Sequence, residues 1–420
     1  MIQPDRTQAP PFLLSSDFRL TQPEIFRFSG GQKLYAFRGL QQTAVKLDFI
    51  FQAGKWHESL LGVSHFTAHM LPRGTETRNS FQLASALDHL GADVHLVAGY
   101  DHVIVSLSVL EKNLAASLRL VHEMLTKPSF DETEFRQEKE IFLQNLEVSN
   151  QKPSVLASKA IRRTLFGAGH PYGNSPEKED VTQITTRDLR SFFAEHFHLH
   201  AAYVVGRITE EDVGLITGAF IQPFVQVPDP AHVRPEAGVS HRIEKPGSVQ
   251  ASIRMGMKCL PKRDDPFYFD AVVFNLLLGG YFGSRLMKNI REEKGLTYGI
   301  HSSMNHFIRD SFWAISAEVN QQHAAQAITE IRKEIRVLQD ILIPEEELDL
   351  ARNYFIGSWQ SDNNTLFAVA DKIRNIHWFG LPDDYYDRLL GHIRAITPER
   401  IQEIGNSHFD TKDLVEIQVG

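Results

Sequence analysis

Between Ile221 and Ser240 the 420-residue chain carries Pro223, Pro228, Pro230 and Pro235 with little helical or strand periodicity. That is the composition of a stiff, extended connector. It cuts the chain near its middle, and one series of elements can be read on either side of it. Before it, Ala44–Phe51 alternates as a half-buried strand does and is followed by a helical pattern through Leu60 to Leu71. After it, the strand-like Gln250–Met255 leads to a helical pattern through Asp270 to Leu278. Second strand-like stretches follow at His102–Val109 and Ser311–Val319. Long helices then run from Asn113 to Leu125, ahead of Pro128, and from Gln321 to Leu338, ahead of Pro344.

Acidic helix starts come next in both halves, Phe130–Phe135 and Ile343–Leu348, about 213 residues apart. Each half closes on a strand-like segment, Ala201–Gly206 and Leu414–Val419. The pattern predicts an internal duplication: an α+β chain of two homologous domains, each a mostly antiparallel sheet with helices packed on one face. The expected boundaries are 1–220 for the first domain, 221–240 for the Pro-rich linker and 241–420 for the second.

Charge and cysteine content narrow the chemistry. With 44 Lys+Arg against 52 Asp+Glu the formal charge is -8, so the basic footprint of a nucleic-acid binder is missing. One cysteine, Cys259, excludes an intrachain disulfide and a Cys-rich zinc site, and leaves the 19 histidines and the carboxylates as metal ligands. The most apolar run, Ala271 to Gly280, is ten residues long and holds Asn275, about half of what a bilayer crossing needs. The start, Met1–Arg6, lacks a basic segment followed by an apolar one. A cytoplasmic location is expected, or a periplasmic one if a signal peptide was removed.

The most informative residues are Gly62-Val-Ser-His65-Phe-Thr-Ala-His69-Met-Leu71. Positions i and i+4 share a helix face, so His65 and His69 can aim at one point, as two-histidine zinc motifs require. Zinc hydrolases of this type place a glutamate between the histidines as general base. This chain has Thr67 and Ala68 there.

With Arg73-Gly-Thr75 following, this stretch resembles the inverted zinc motif, His-x-x-Glu-His, of the pitrilysin (M16) metallopeptidase family. The resemblance implies a third ligand, a glutamate about 76 residues beyond the second histidine, in a Glu-Arg-x-Val-x-x-x-Glu pattern. That position is Asn145; Glu138-Lys-Glu-Ile-Phe-Leu-Gln-Asn145 keeps the first glutamate and replaces the last. The base position is thus Ala68 and the third-ligand position Asn145. His65 and His69 then read as vestigial, with no catalytic residue and no metal expected in this chain.

A second signature is intact. Leu278-Gly-Gly-Tyr-Phe-Gly-Ser-Arg-Leu286, followed by Ile290-Arg291-Glu-Glu-Lys-Gly-Leu-Thr-Tyr298, resembles the family's second-domain pattern, a Gly-rich turn and then Arg-Glu-x-x-Gly-Leu-x-Tyr. It is not a phosphate loop, which ends in Gly-Lys-Ser/Thr, whereas here Gly283 precedes Ser284-Arg285. The resemblance implies that Arg291 and Tyr298 hold substrate backbone across from the zinc. A guanidinium fork and a phenol can position and polarise a peptide carbonyl without supplying a nucleophile. A pairing of Arg291 with Glu292 or Glu293 is the structural alternative. His170-Pro-Tyr-Gly173 and Tyr203-Val-Val-Gly206 are weaker matches, and His170 is read as structural.

The resemblance implies the LuxS/MPP-like metallohydrolase fold and a catalytically inactive M16 peptidase homologue that binds an unfolded peptide through Arg291 and Tyr298. It would complete the site of a zinc-bearing M16 catalytic subunit as a heterodimer, with zinc in the partner only. Self-association is the other arrangement, although a homodimer would hold no complete zinc site. A scaffold homologue like core subunits of respiratory complexes, or a weak zinc metallopeptidase with an unorthodox site, are the alternatives.

Overall fold

A computed structural model describes residues 20–39, 43–219, 239–258 and 262–420. Most of the expected linker and Cys259 lie outside the described residues. Six strands form the first sheet: β1 (Glu24–Arg27), β2 (Lys33–Phe37), β3 (Ala44–Phe51), β4 (Asp93–Ala98), β5 (Val103–Leu110) and β6 (Leu199–Val205). Five form the second: β7 (Ser240–Ile243), β8 (Gln250–Lys258), β9 (Thr297–His306), β10 (Ser311–Asn320) and β11 (Val415–Val419).

The strand orders are β1-β2-β6-β3-β5-β4 and β7-β11-β8-β10-β9. Leaving out β1, the two orders superpose strand for strand. Each sheet has one parallel pair, β2 with β6 and β7 with β11, and is antiparallel elsewhere. The fold is α+β with two like-built halves, as the repeated element order predicts.

Alternation decides which face each half buries for itself. Along β3 and β5, Val45, Leu47, Phe49, Phe51, Val103, Val105, Leu107 and Val109 point into the first half's own core, with Phe66, Leu83, Leu118, Val121 and Phe192 from its helices. The opposite face, Tyr35, Phe37, Ile50, Ala201, Tyr203 and Val205, joins the core of the second half. The expectation of helices on one face is therefore refined: each half lends a helix to the far face of the other's sheet. Helix Pro153–Phe166 packs on β8 and β11, and helix Leu366–Phe379 packs on β6.

The first of these seams is closed by apolar side chains. Ala157, Ile161, Leu165 and Phe166 interlock with Phe312, Val415, Ile417 and Val419. Its three large helix side chains are worth roughly 5–9 kcal/mol at about 1.5–3 kcal/mol each. The halves are also tied by Arg374 to Asp48 (2.6 Å) and Arg309 to Asp101 (3.1 Å).

Helix ends follow their capping residues. The acidic start at 130–135 becomes helix Glu132–Asn150, capped by Asp131, whose Oδ1 accepts from the backbone N–H groups of Thr133 (2.8 Å) and Glu134 (3.0 Å). Among the described residues no helix is long and apolar enough to cross a membrane.

Candidate functional site: a degenerate metal motif and an exposed Arg/Tyr turn

Helix Val63–Met70 starts at Gly62, whose φ of 99° is left-handed. One face carries Phe66, Thr67, Ala68 and Met70, all buried; the other carries His65 and His69. The imidazoles stack with centroids 4.0 Å apart at 29°. Burial, with His69 nearby, pushes the His65 ring down to about 3, and burial also holds His69 below the ordinary histidine range. Both rings are neutral at pH 7, the state in which imidazole ligates metal.

Helix Glu132–Asn150 packs across this one, with Phe142 4.9 Å from the His65 ring and Glu138 beside His69, Oε1 to Nδ1 3.9 Å. Positions 138 and 145 are two turns apart, about 10.5 Å along the axis. Phe142 takes the place opposite His65, and Asn145 is exposed. The count from His69 identified Asn145 as the third-ligand position; the structure also brings Glu138 beside the histidines. His65, His69 and Glu138 offer ligand atoms within 4.8 Å of one another. The retained first glutamate of the pattern was the signal for it.

Those donors make a set of two histidines and one glutamate, which fits zinc, and a divalent ion here would be held by them as a Lewis acid. Arg73 holds Glu138 Oε2 at 2.6 Å while Oε1 faces His69, so the guanidinium shares the carboxylate's charge and leaves one oxygen free for an ion. One feature opposes hydrolysis. Position 68 is a fully buried methyl group with no proton to transfer.

A cavity of about 340 Å³ lies beside His65, lined by Lys55, Glu58, Ser64, Tyr100 and Phe142. Glu58 Oε1 accepts from Ser64 N–H at 3.0 Å, and burial pushes its carboxyl up to about 7. Burial pushes Lys55 down to about 8. Sequence reasoning missed this pair, since single charges in a connecting turn carry no periodic signal.

In the second half, the expected Gly-rich turn is flanked by two π-helical segments, Leu276–Gly280 and Met287–Glu293. Such segments are rare and concentrate at functional sites. A Cβ on Gly279 would lie 2.8 Å from the backbone N of Ser302 on β9, so only glycine lets the segment approach that strand. Arg285 is spoken for, forked onto Glu347 at 2.8 and 2.9 Å. Asn289 anchors the second segment to Glu330 (3.1 Å) and Glu334.

Arg291 and Tyr298 stand on the two arms of the turn that follows, closed by Leu296 N–H donating to Ile290 O at 2.9 Å. The Arg291 guanidinium lies over the Phe282 ring at 4.6 Å, while Glu292 and Glu293 are exposed. Tyr298 is 94% exposed at the start of edge strand β9, and Phe282 is 61% exposed. His170, in contrast, is buried; its Nδ1 accepts from Tyr172 N–H at 3.1 Å, and Tyr172 donates to Asp101 at 2.5 Å. Its place in an aromatic core agrees with the structural reading.

Residues 40–175 match the family described as insulinase (peptidase family M16), and residues 183–355 match the peptidase M16 inactive domain. An uncharacterized zinc protease YmxG of Bacillus subtilis is 22% identical over 370 residues, 85% of this chain and 88% of that one. A Helicobacter pylori protein named non-peptidase homolog YmxG is 23% identical over 368 residues, 84% of this chain and 83% of its own. Among solved structures, a peptidase M16 inactive domain from Pseudomonas fluorescens superposes with a TM-score of 0.86 at 24% identity, covering 95% of this chain and 98% of that one. The two matched stretches take up most of the chain and carry one signature each, and the chain belongs to the peptidase M16 family.

Proposed function

We propose that this M16 homologue holds an extended, unfolded peptide through Arg291 and Tyr298 and completes the site of a zinc-bearing M16 subunit, contributing no zinc chemistry itself. The observation that carries the reading is the exposure of Tyr298 on an edge strand beside the Arg291–Phe282 stack. A large phenol left 94% exposed buries nothing for its own fold. The guanidinium fork can donate to a peptide carbonyl, and the phenol can donate to the next one while its ring packs on the peptide. The unpaired edge of β9 offers further backbone donors and acceptors for a strand-like substrate. Against zinc chemistry in this chain, Ala68 leaves the histidine pair without a base, and Arg73 shares the charge of the one carboxylate beside it.

The test mixes this chain with an M16 chain carrying an intact His-x-x-Glu-His and follows cleavage of a fluorescein-labelled unstructured peptide. Activity is expected only from the mixture, with Arg291→Ala combined with Tyr298→Phe lowering it at least tenfold and weakening peptide binding by this chain alone. Full activity from this chain by itself, or activity of the catalytic chain that ignores it, would overturn the proposal.

A further inference from the structure

The two seams between the halves are built alike and filled differently. Where helix Pro153–Phe166 meets the second sheet, the space is taken by rings, with Tyr172 stacked on Phe307 at 4.1 Å. Where helix Leu366–Phe379 meets the first sheet, a cavity of about 500 Å³ remains. That is within the range of pockets for small organic ligands. Its floor is aromatic: Tyr35 stacks on Tyr203 at 4.8 Å and on His377 at 4.1 Å.

A β-bulge shapes one wall. Ile50 of β3 pairs with Ala201, but Phe51 pairs with Leu199, so His200 is the extra residue of β6. Bulges recur beside active sites because they re-aim one side chain. Here the bulged His200 lines the cavity, its Nδ1 3.3 Å from Gln52 Nε2. His102 lines it too; it is 7% exposed, stands edge-on to Trp378 at 4.3 Å, and its Nδ1 has no hydrogen-bond partner among the described residues. The charged lining is mostly cationic, Lys33, Arg309 and Arg374 against Asp101. Asp101 is matched by Arg309, and Arg374 has donors beyond those it gives to Asp48 and Asp371.

We infer that the cavity between helix Leu366–Phe379 and the first sheet is a binding site for a small planar aromatic anion. Tyr35, Tyr203, His377 and Trp378 would take the ring, and Lys33 and Arg374 the negative group. Flat aromatic walls favour a ring by stacking, and guanidinium and ammonium groups select its charge. The anion can be a carboxylate or a phosphate, and the experiment separates them.

Calorimetric titration of the purified full chain with indole-3-acetate and with adenosine monophosphate is expected to show one site per chain for at least one of the two. Indol-3-ylmethylphosphonate, titrated beside indole-3-acetate, keeps the ring and separates the two anionic groups. The neutral counterparts, indole-3-acetamide and adenosine, are expected to bind at least tenfold more weakly, and inorganic phosphate alone likewise. Trp378→Leu and Lys33→Gln should each weaken the bound anion at least fivefold; Lys33 is exposed at the cavity mouth, so its replacement leaves the melting temperature unchanged. No heat from either anion at millimolar concentration, equal affinity for the neutral forms, or binding indifferent to both substitutions would overturn the inference.

Discussion

Lowering the pH from 7 to 5 should strip this chain of much of its stability, and the structure sets both the sign and the size. Burial pushes His65, His102 and His306 down to about 3 from an unfolded value near 6.5. A base whose folded pKa is depressed contributes stability above its unfolded pKa and loses it as the pH falls towards the folded one. Each such histidine then costs about 2 kcal/mol between pH 7 and pH 5, about 6 kcal/mol for the three. Glu58 works against them. Its carboxyl, pushed up to about 7 by burial, binds its proton in the folded state first, and so returns about 2 kcal/mol over the same interval.

For these four groups the expected loss is about 4 kcal/mol, with a net uptake of about two protons on unfolding at pH 5, and His69, His196, His200, His301 and His377, also held low by burial, add to it in the same direction. That is a large part of the 5–15 kcal/mol that ordinary domains possess. Urea unfolding followed by far-ultraviolet circular dichroism at half-unit steps measures it. Glu58→Gln removes the offset, so its loss should grow to about 6 kcal/mol, whereas His102→Gln should shrink it by about 2. Stability at pH 5 within about 1 kcal/mol of that at pH 7 would refute the reasoning, as would a Glu58→Gln protein less sensitive to acid than its parent.

Two further outcomes follow from the signatures. Gly279→Ala forces a Cβ to within 2.8 Å of the Ser302 backbone, so it should cost about 1–3 kcal/mol in urea unfolding; a loss under about 0.5 kcal/mol would mean that the π-helical segment does not need glycine there. For the metal motif, the parent chain dialysed against a weak chelator should keep well under one zinc per chain by elemental analysis, because Arg73 at 2.6 Å draws on the charge of Glu138, whose other oxygen is the third donor. Arg73→Ala should raise the retained zinc, and equal retention in the two proteins would show that the guanidinium does not compete.

Much of the fold was legible because it repeats. The same order of alternating and helical patterns on both sides of 221–240 led to two sheets whose strand orders superpose. What periodicity could not convey is where each element's second face goes. Helix Pro153–Phe166 lies in the first half of the sequence and buries Ile161 and Leu165 against strands of the second. Nothing local to its residues distinguishes that from packing on its own sheet. The candidate site shows the same limit. Spacing along one helix placed His65 and His69 on one face, yet the approach of Glu138 to that pair depends on how two helices cross, which no spacing within either helix conveys. The seam cavity was invisible for a related reason, since its histidines come from separate elements and one of them owes its direction to a bulge.

The division of labour on helix Val63–Met70 explains how this chain can lack a peptidase's base and still fold. Phe66, Ala68 and Met70 belong to the first half's core, and replacing them would open cavities or bury charge. His65 and His69 face the other way and are half-buried, against Phe142 and beside Glu138. At position 68 an alanine satisfies packing completely, whereas a glutamate there has to be solvated or bound to be tolerated. Glu138, in contrast, has a structural partner in Arg73. Arg291 and Tyr298 follow the opposite logic. Tyr298 repays the fold nothing at 94% exposure, and Arg291 touches a phenylalanine that is itself exposed, so neither residue's position is explained by stability. Both stand on a turn built with Gly279, Asn289 and two π-helical segments, the ground on which the proposed recognition role rests.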